Sequence, residues 1–549
     1  MSGPSIGRSS AILASGTLVS RVLGLVSALV LAAALGQLGV GDAFALANQL
    51  PNNIYAIIAG GLLSAILVPQ IVRAEKHPDG GQQYINRLIT LGLVAFLVIA
   101  VLATFAGPLL VDLYSQDGSG GSRGLDPADR ALANLFAYWC LPQIFFYAVY
   151  SLLGEVLNAR RVFGPFTWAP VLNNVIAIGG LVAFIVLFGA DPANADGADW
   201  TGGMIALVAG TATLGVVTQA AFLLFFWRRA GLSYRPDFRW RGVGLGTAGK
   251  AAAWTFAMIT VTQLAGIVQN RVASLASGED ASITTLRFAW LIFMLPHSIA
   301  AVSIATPYFT RMSGSARDGD LAAVRRDLSS SLRGIGVILV FATVGLAVLA
   351  YPFSALFSVR GGAVDFATVS QMAPVVIFYL LGLIQFSVLF VLQRTYYALE
   401  DTRTPFFFTV LQSGLFVGGA LVVATWPTSL IAIGIAGVTS IAGTVQLAAA
   451  ALILNRRLGG IDARRVARSY ALYLLACLPA AGVGVGLLFL MGATVAGGFA
   501  VSSLFSALLS MAVIGSAMAL VYLGVLWVMR VEELRAFAQP LLARLRRRR

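Results

Sequence analysis

Three arginines, Arg21, Arg271 and Arg287, stand inside long runs of apolar residues. A cation at membrane depth is costly and is retained where it meets a cavity or an anionic partner. A guanidinium stays charged when desolvated, and its planar fork of donors matches phosphate oxygens. The chemistry open to these residues is anion binding inside a membrane. A second run carries Asp42 at its start and Asn48, Gln49, Asn52 and Asn53 around Pro51. That is too polar for a helix that faces lipid on all sides. Arg21, Asp42, Asn52, Arg271 and Arg287 therefore form the candidate binding set. Structural readings compete with it: pairing of Arg21 with Asp42, a packed polar seam along the second run, and snorkelling of cations to helix ends. Arg394 and Glu155 lie nearer the inner ends of their runs and suit the interface, and His297 beside Pro296 reads as a packing histidine.

The elements that must position these residues are helices. The chain has 549 residues, 58% hydrophobic and 11% charged, where a soluble protein carries about 25% charge. Apolar runs long enough to cross a bilayer recur from end to end, and the bilayer's demand for closed backbone hydrogen bonding makes them helical. The pattern predicts an all-α membrane protein with fourteen spans, at about 10–36, 42–73, 86–113, 128–158, 165–190, 201–228, 248–277, 281–312, 329–358, 367–399, 405–426, 428–455, 467–491 and 498–529. The first run follows Arg8 and continues to about Leu35 without a cleavage site, so it reads as a span rather than a signal peptide. Thirty of the 37 Lys and Arg residues fall in one set of alternate loops and the termini, three in the opposite loops and four within spans. By the positive-inside rule both termini are expected in the cytoplasm. Arg271 and Arg287 would then lie roughly 10–12 Å from the outer boundary, at 1.5 Å per residue.

The net charge of +14 is spread over these loops, which suits a membrane surface and not nucleic acid. In the longest cytoplasmic linker Tyr234, Phe238 and Trp240 alternate with Arg235, Arg239 and Arg241. This mixture suits headgroup depth and anionic lipid, or equally a basic linker that only fixes topology. Cys140 and Cys477 are the only cysteines, and His77 and His297 are far apart, so no disulfide framework, metal site or cofactor is expected. No phosphate-binding Gly-Lys-Thr loop is present. The chain reads as a transporter rather than an enzyme, with energy from a coupling cation, the membrane potential or a substrate gradient.

An internal echo gives the organisation. Pro165-Phe166, Val171-Leu172-Asn173 and Gly179-Gly180 are answered by Pro405-Phe406, Val410-Leu411-Gln412 and Gly418-Gly419. A weaker echo joins Leu50-Pro51, Pro69 and Arg73 to Leu295-Pro296, Pro307 and Arg311. Both pair a span with the sixth span after it. The predicted division is an N-lobe over 1–230, a linker over 231–247, a C-lobe over 248–457, two extra spans over 458–530 and a basic tail over 531–549. Parallel repeats of this kind rock about a substrate site between the halves.

Ser20-Arg21-Val22-Leu23-Gly24, Gly41-Asp42-Ala43-Phe44, Leu50-Pro51-Asn52, Val68-Pro69 and the turn Tyr397-Ala398-Leu399, Asp401-Thr402 and Thr404-Pro405 together resemble the MurJ/MviN family of lipid II flippases. That family sits in the multidrug/oligosaccharidyl-lipid/polysaccharide exporter superfamily. The resemblance implies fourteen helices, two lobes around a cationic cavity, and a groove by spans 13–14 for a polyprenyl tail. It implies flipping of lipid II, the undecaprenyl-diphosphate-linked disaccharide-pentapeptide, to the outer leaflet of the bacterial cytoplasmic membrane for peptidoglycan synthesis. The implied partners are lipid II, anionic membrane lipids and cell-wall synthesis proteins. Ser27-Ala28, Tyr55 and Leu291 stand where the family often has Arg-Asp, Arg and Arg. Arg287, one turn before Leu291, is expected to replace the last, and Arg271 to add a second outer cation. The rival readings are an exporter of another polyprenyl-linked glycan or a drug, a scaffold for cell-wall enzymes, and a membrane glycosyltransferase.

Overall fold

The computed structural model describes residues 6–74, 79, 81–160, 162, 164–239 and 249–534. It is helical throughout, apart from a two-residue hairpin, β1 (Val359–Arg360) and β2 (Ala363–Val364). Twelve helical segments among the described residues are long and apolar enough to cross a membrane. The chain divides into two compact units, 1–284 and 285–549.

The first unit holds α1 (Ile6–Leu35), α2 (Val40–Ala74), α3 (Gln82–Phe105), α4 (Gly107–Tyr114), α5 (Pro127–Cys140), α6 (Gln143–Ala159), α7 (Gly164–Phe188), α8 (Gly202–Trp227) and α9 (Gly249–Ala273). α2 packs on α5, α6 and α9, and α7 on α1 and α8. Phe136 anchors this core, edge-on to Phe44 and Trp200 at 5.3 and 5.4 Å between ring centres. α10 (Ile283–Pro296) starts at the boundary.

The second unit continues through a π-helical turn (His297–Ala301) to α11 (Val302–Arg317), α12 (Leu321–Val348), α13 (Ala350–Phe357), α14 (Phe366–Leu380), α15 (Leu383–Ala398), α16 (Arg403–Val423), α17 (Thr428–Leu458), α18 (Ala463–Leu490) and α19 (Leu504–Val528). α18 packs on α12 and α19. Their shared core holds Tyr473, Cys477, Met518 and Tyr522, and the Tyr522 hydroxyl donates to the Val337 carbonyl at 2.8 Å. Both cysteines are buried and neither forms a disulfide.

Several spans expected as continuous helices are broken. Residues 86–113 are α3 and α4, 128–158 are α5 and α6, 329–358 are α12 and α13, and 367–399 are α14 and α15. Proline explains two breaks. Pro108 sits in the first turn of α4, and Pro142 is the residue before α6, where a missing N–H costs little. The breaks recur at corresponding places: a long helix, one residue and an eight-residue helix in 82–114 and again in 321–357. The glycine pairs follow the same rule. A methyl on Gly180 would collide with Thr211 of α8, and one on Gly419 with Val438 of α17, whereas Gly179 and Gly418 face open space. In both places the second glycine sets the close approach of the following helix.

The turn before α16 is structural. Asp401 accepts from the Arg403 and Thr404 amides at 3.0 and 2.9 Å and from the Thr404 hydroxyl at 2.6 Å. It also pairs with Arg457 of α17. Arg394 lies over the rings of Phe390 and Phe309, 4.9 and 5.4 Å from their centres. His297 is buried, bonded through Nδ1 to the Ser387 hydroxyl at 3.0 Å and held edge-on by Phe386 and Phe390. This is the packing role expected of it. Trp240, Arg241, His77 and most of the basic tail lie outside the described residues.

Candidate substrate-transport site

α1 carries Arg21 on an exposed face. Among the described residues no carboxylate pairs with it, Asp42 included. Its donors are available to an anion.

α1 and α2 are joined by a glycine turn. Gly36 and Gly39 have φ of 73° and 37°, which a side chain would strain. The turn delivers Asp42 to the first turn of α2, where a carboxylate suits the exposed amides. Asp42 is fully buried. One carboxylate oxygen accepts from the Thr284 amide at 2.8 Å. The other accepts from the Ser277 hydroxyl at 2.7 Å and from Ser282. Asp42 thus clasps the turn between α9 and α10. This clasp was not legible in advance, although the hydroxyl-rich stretch Ser277, Ser282, Thr284 was a signal that could have suggested it.

Further along α2 the amides part company. Asn48 accepts from Gln143 Nε2 at 3.3 Å, the same nitrogen donates to Thr213 at 2.9 Å, and Thr213 donates to the Trp139 carbonyl at 2.7 Å. That is a packed seam through α2, α6, α8 and α5. Asn53 is buried, whereas Asn52 is exposed. Tyr55 packs its ring 5.8 Å from Tyr147 and 6.1 Å from Phe96. α2 is polar and open at Asn52, while Asp42 and Asn53 are buried.

Arg271, in the last turn of α9, is committed to protein. Nη1 donates to the carbonyls of Asp112 and Leu113 at 2.7 and 3.3 Å, and Nη2 to Gln116 Oε1 at 3.0 Å. The Gln116 amide donates in turn to the Ser274 hydroxyl at 2.8 Å. A guanidinium on the open carbonyls at the end of α4 satisfies them and complements the helix dipole. Arg287 is half-buried on α10. Arg21, Asp42, Asn52 and Arg271 belong to the first compact unit and Arg287 to the second. No cluster of His, Cys, Asp or Glu among the described residues could hold a metal.

Fold and site together define a multi-pass, all-helical membrane protein whose exposed cation sits within an apolar span. The family model described as lipid II flippase MurJ matches residues 31–509, and the chain belongs to that family. The probable lipid II flippase MurJ of Haemophilus influenzae is 27% identical over 483 residues, covering 85% of this chain and 88% of that protein. Its counterpart in Vibrio cholerae is 27% identical, covering 72% and 74%. A solved structure described as lipid II flippase MurJ in an inward closed conformation superposes with a TM-score of 0.71 at 20% identity, covering 97% of this chain and all of that one. An inward-facing multidrug resistance MATE transporter of the MOP superfamily gives 0.62 at 16% identity, covering 82% and 98%. The last two are likenesses of fold.

Proposed function

We propose that the protein flips lipid II from the cytoplasmic to the outer leaflet by alternating access, supplying peptidoglycan synthesis. The observation that carries this reading is the exposed, unpaired guanidinium of Arg21 within an apolar span of a chain matched by the flippase family model over residues 31–509. Arg21 and Arg287 bind the diphosphate, the first early and the second late in transit, with Arg287 standing in for the family cation absent at Leu291. Asn52 offers its amide to the substrate's polar head. Arg271 and Asp42 position the α4 end and the α9–α10 turn around it.

In this reading α2 and α9 also cross the membrane, making fourteen spans. α2 carries Asp42 and four amides in its first half, and α9 carries Gln263, Gln269, Asn270 and Arg271. The repeated element lengths and glycine contacts support a reading of two six-span lobes, with the last two spans added. Both termini are cytoplasmic, and the membrane is the bacterial cytoplasmic membrane. The cytoplasmic linker contacts anionic lipid, and cell-wall synthesis proteins receive the product. A coupling cation or the membrane potential drives the cycle. Each net charge moved is worth about 2.3 kcal/mol per 100 mV.

The test is flipping of labelled lipid II by the purified protein in liposomes, with Arg21→Ala and Arg287→Ala alongside. Flipping that falls at least tenfold in both variants is expected. Full activity of both, in liposomes and in complementation of flippase depletion, would refute their assignment. Failure of the unaltered protein to flip lipid II would refute the function.

A further inference from the structure

An apolar cavity of about 290 Å³ lies in the first unit between α3, α6 and α8. Its wall includes Leu93, Phe146, Leu153, Leu224, Trp227 and Tyr234, and Leu224 is 53% exposed, so the cavity stands beside the outer surface of the bundle. A second cavity of about 740 Å³ is polar and lined by Gln82, Asn86, Arg235 and Arg239 among others. The two adjoin. Asn86 and Ile89 are one turn apart on α3, and Tyr234, in the apolar wall, directly precedes Arg235, in the polar one. The Tyr234 hydroxyl is fixed to Thr90 Oγ1 at 3.0 Å.

The charge here is positive. Arg87, Arg228, Arg229, Arg235 and Arg239 stand with only Asp79 and Asp237 over residues 79–90 and 227–239. Asp237 is shared by Arg87 and Arg239 at 3.1 and 3.0 Å, and Asp79 accepts from the Gly81 and Gln83 amides at the start of α3. Among the described residues no carboxylate pairs with Arg228 or Arg235. Each of these follows an aromatic residue of the apolar wall, Trp227 or Tyr234. The Trp227 Nε1–H is buried and meets no acceptor among the described residues, which is uncommon for a buried donor. An apolar slot, a donor at its wall that meets no acceptor among the described residues, and cations that directly follow two aromatic residues of that wall match, in that order, an acyl chain, an ester carbonyl and a phosphate. Indole and phenol rings at such a depth belong to the headgroup boundary.

We infer that this pair of cavities is a binding site for one anionic glycerophospholipid, with an acyl chain between α3, α6 and α8 and the phosphate against Arg228 and Arg235. The site is separate from the candidate transport residues, and its occupancy is read without lipid II.

The experiment uses the full chain, delipidated in detergent and exposed to phosphatidylglycerol or phosphatidylcholine of identical chains, with retained lipid counted by native mass spectrometry. One phosphatidylglycerol is expected to be held at concentrations that leave phosphatidylcholine unbound. Arg228→Gln and Arg235→Gln should each weaken it about fivefold, and the pair about 25-fold, the scale of one surface cation acting on an anionic lipid. Ala221→Trp, which fills the apolar slot from α8, should abolish retention of both lipids. If that variant does not fold, Arg228→Gln and Arg235→Gln decide the matter alone. Equal retention of the two lipids, or retention indifferent to Arg228→Gln/Arg235→Gln, would overturn the inference. Displacement by a prenyl diphosphate but not by excess phosphatidylglycerol would also overturn it, by giving the slot to the transported lipid's tail.

Discussion

Replacing Asp42 separates a clasp from a substrate contact. Its carboxylate takes three donors, the Thr284 amide and the hydroxyls of Ser277 and Ser282, and none of the three residues is more than 7% exposed. In Asp42→Ala the Thr284 N–H cannot rotate to another acceptor, and leaving it buried costs about 1–3 kcal/mol. Each hydroxyl loses a bond worth about 1 kcal/mol. The expected penalty is about 3–5 kcal/mol on the closed state of the α9–α10 turn, which is a hundredfold or more in its opening equilibrium. Asp42→Asn keeps one oxygen for the amide and should lose roughly half of this. Ser277→Ala with Ser282→Ala, which spares the amide, should cost about 2 kcal/mol. Hydrogen exchange over residues 277–284 reports the opening directly. Unchanged exchange there in Asp42→Ala would refute the clasp. If transport were lost while exchange stayed the same, Asp42 would belong to the substrate.

The remaining expectations concern packing, caps and pairs. Gly180→Ala and Gly419→Ala should each destabilise by about 1–3 kcal/mol through overpacking, read as a lower unfolding temperature in detergent, while Gly179→Ala and Gly418→Ala should not. Equal behaviour within either pair would remove the basis for matching the two repeats. Arg271→Lys keeps the charge but not the fork that reaches Asp112, Leu113 and Gln116, so faster amide exchange at the end of α4 is expected, and an unchanged rate would return Arg271 to the list of substrate cations. Arg333 and Glu533 pair while only 12% and 13% exposed, so Glu533→Ala should cost about 3–5 kcal/mol and free the segment after α19 to proteolysis. A double mutant no worse than Arg333→Ala alone is expected from a real pair. Asp237 is held below the usual carboxylate range by the Arg239 side chain and amide, which outweigh the opposing effect of burial, with a smaller contribution from Arg87. A depressed folded value places its contribution above the unfolded value near ~3.9 and removes it as pH falls toward the folded one. Protection of residues 233–239 should accordingly be flat from pH 8 to 5 and decline only below about 4; a loss near pH 6 would point to another group.

Much of the fold was legible because a bilayer leaves little choice. Apolar length gives spans, and the glycines at 180 and 419, picked out with the prolines at 165 and 405, each stand where the following helix comes close. The breaks inside spans were not legible. A window of about twenty residues averages across a one- or two-residue interruption, and proline at the first turn of a helix reads the same whether it opens a span or divides one. The site was half legible. Type and depth marked the arginines, but a main-chain carbonyl has no letter in the sequence, so the partners of Arg271 at Asp112 and Leu113 could not be read. Nor could the donors to Asp42, which lie 235–242 residues away.

The difference between Arg21 and Arg271 shows why depth alone does not assign a role. Both are arginines inside apolar spans, and both enter the sequence argument for anion binding. What separates them is the count of donors left over. Arg271 gives three bonds to the end of one short helix, and moving it onto a diphosphate would strip carbonyls that are otherwise unmet at a helix C-terminus. Arg21 has no such bond among the described residues, so an anion reaching it gains the charge-assisted interaction without that loss. A cation already capping a helix can hold the scaffold still while the substrate passes, whereas a cation without a partner can follow it. The functional weight therefore moves toward α1.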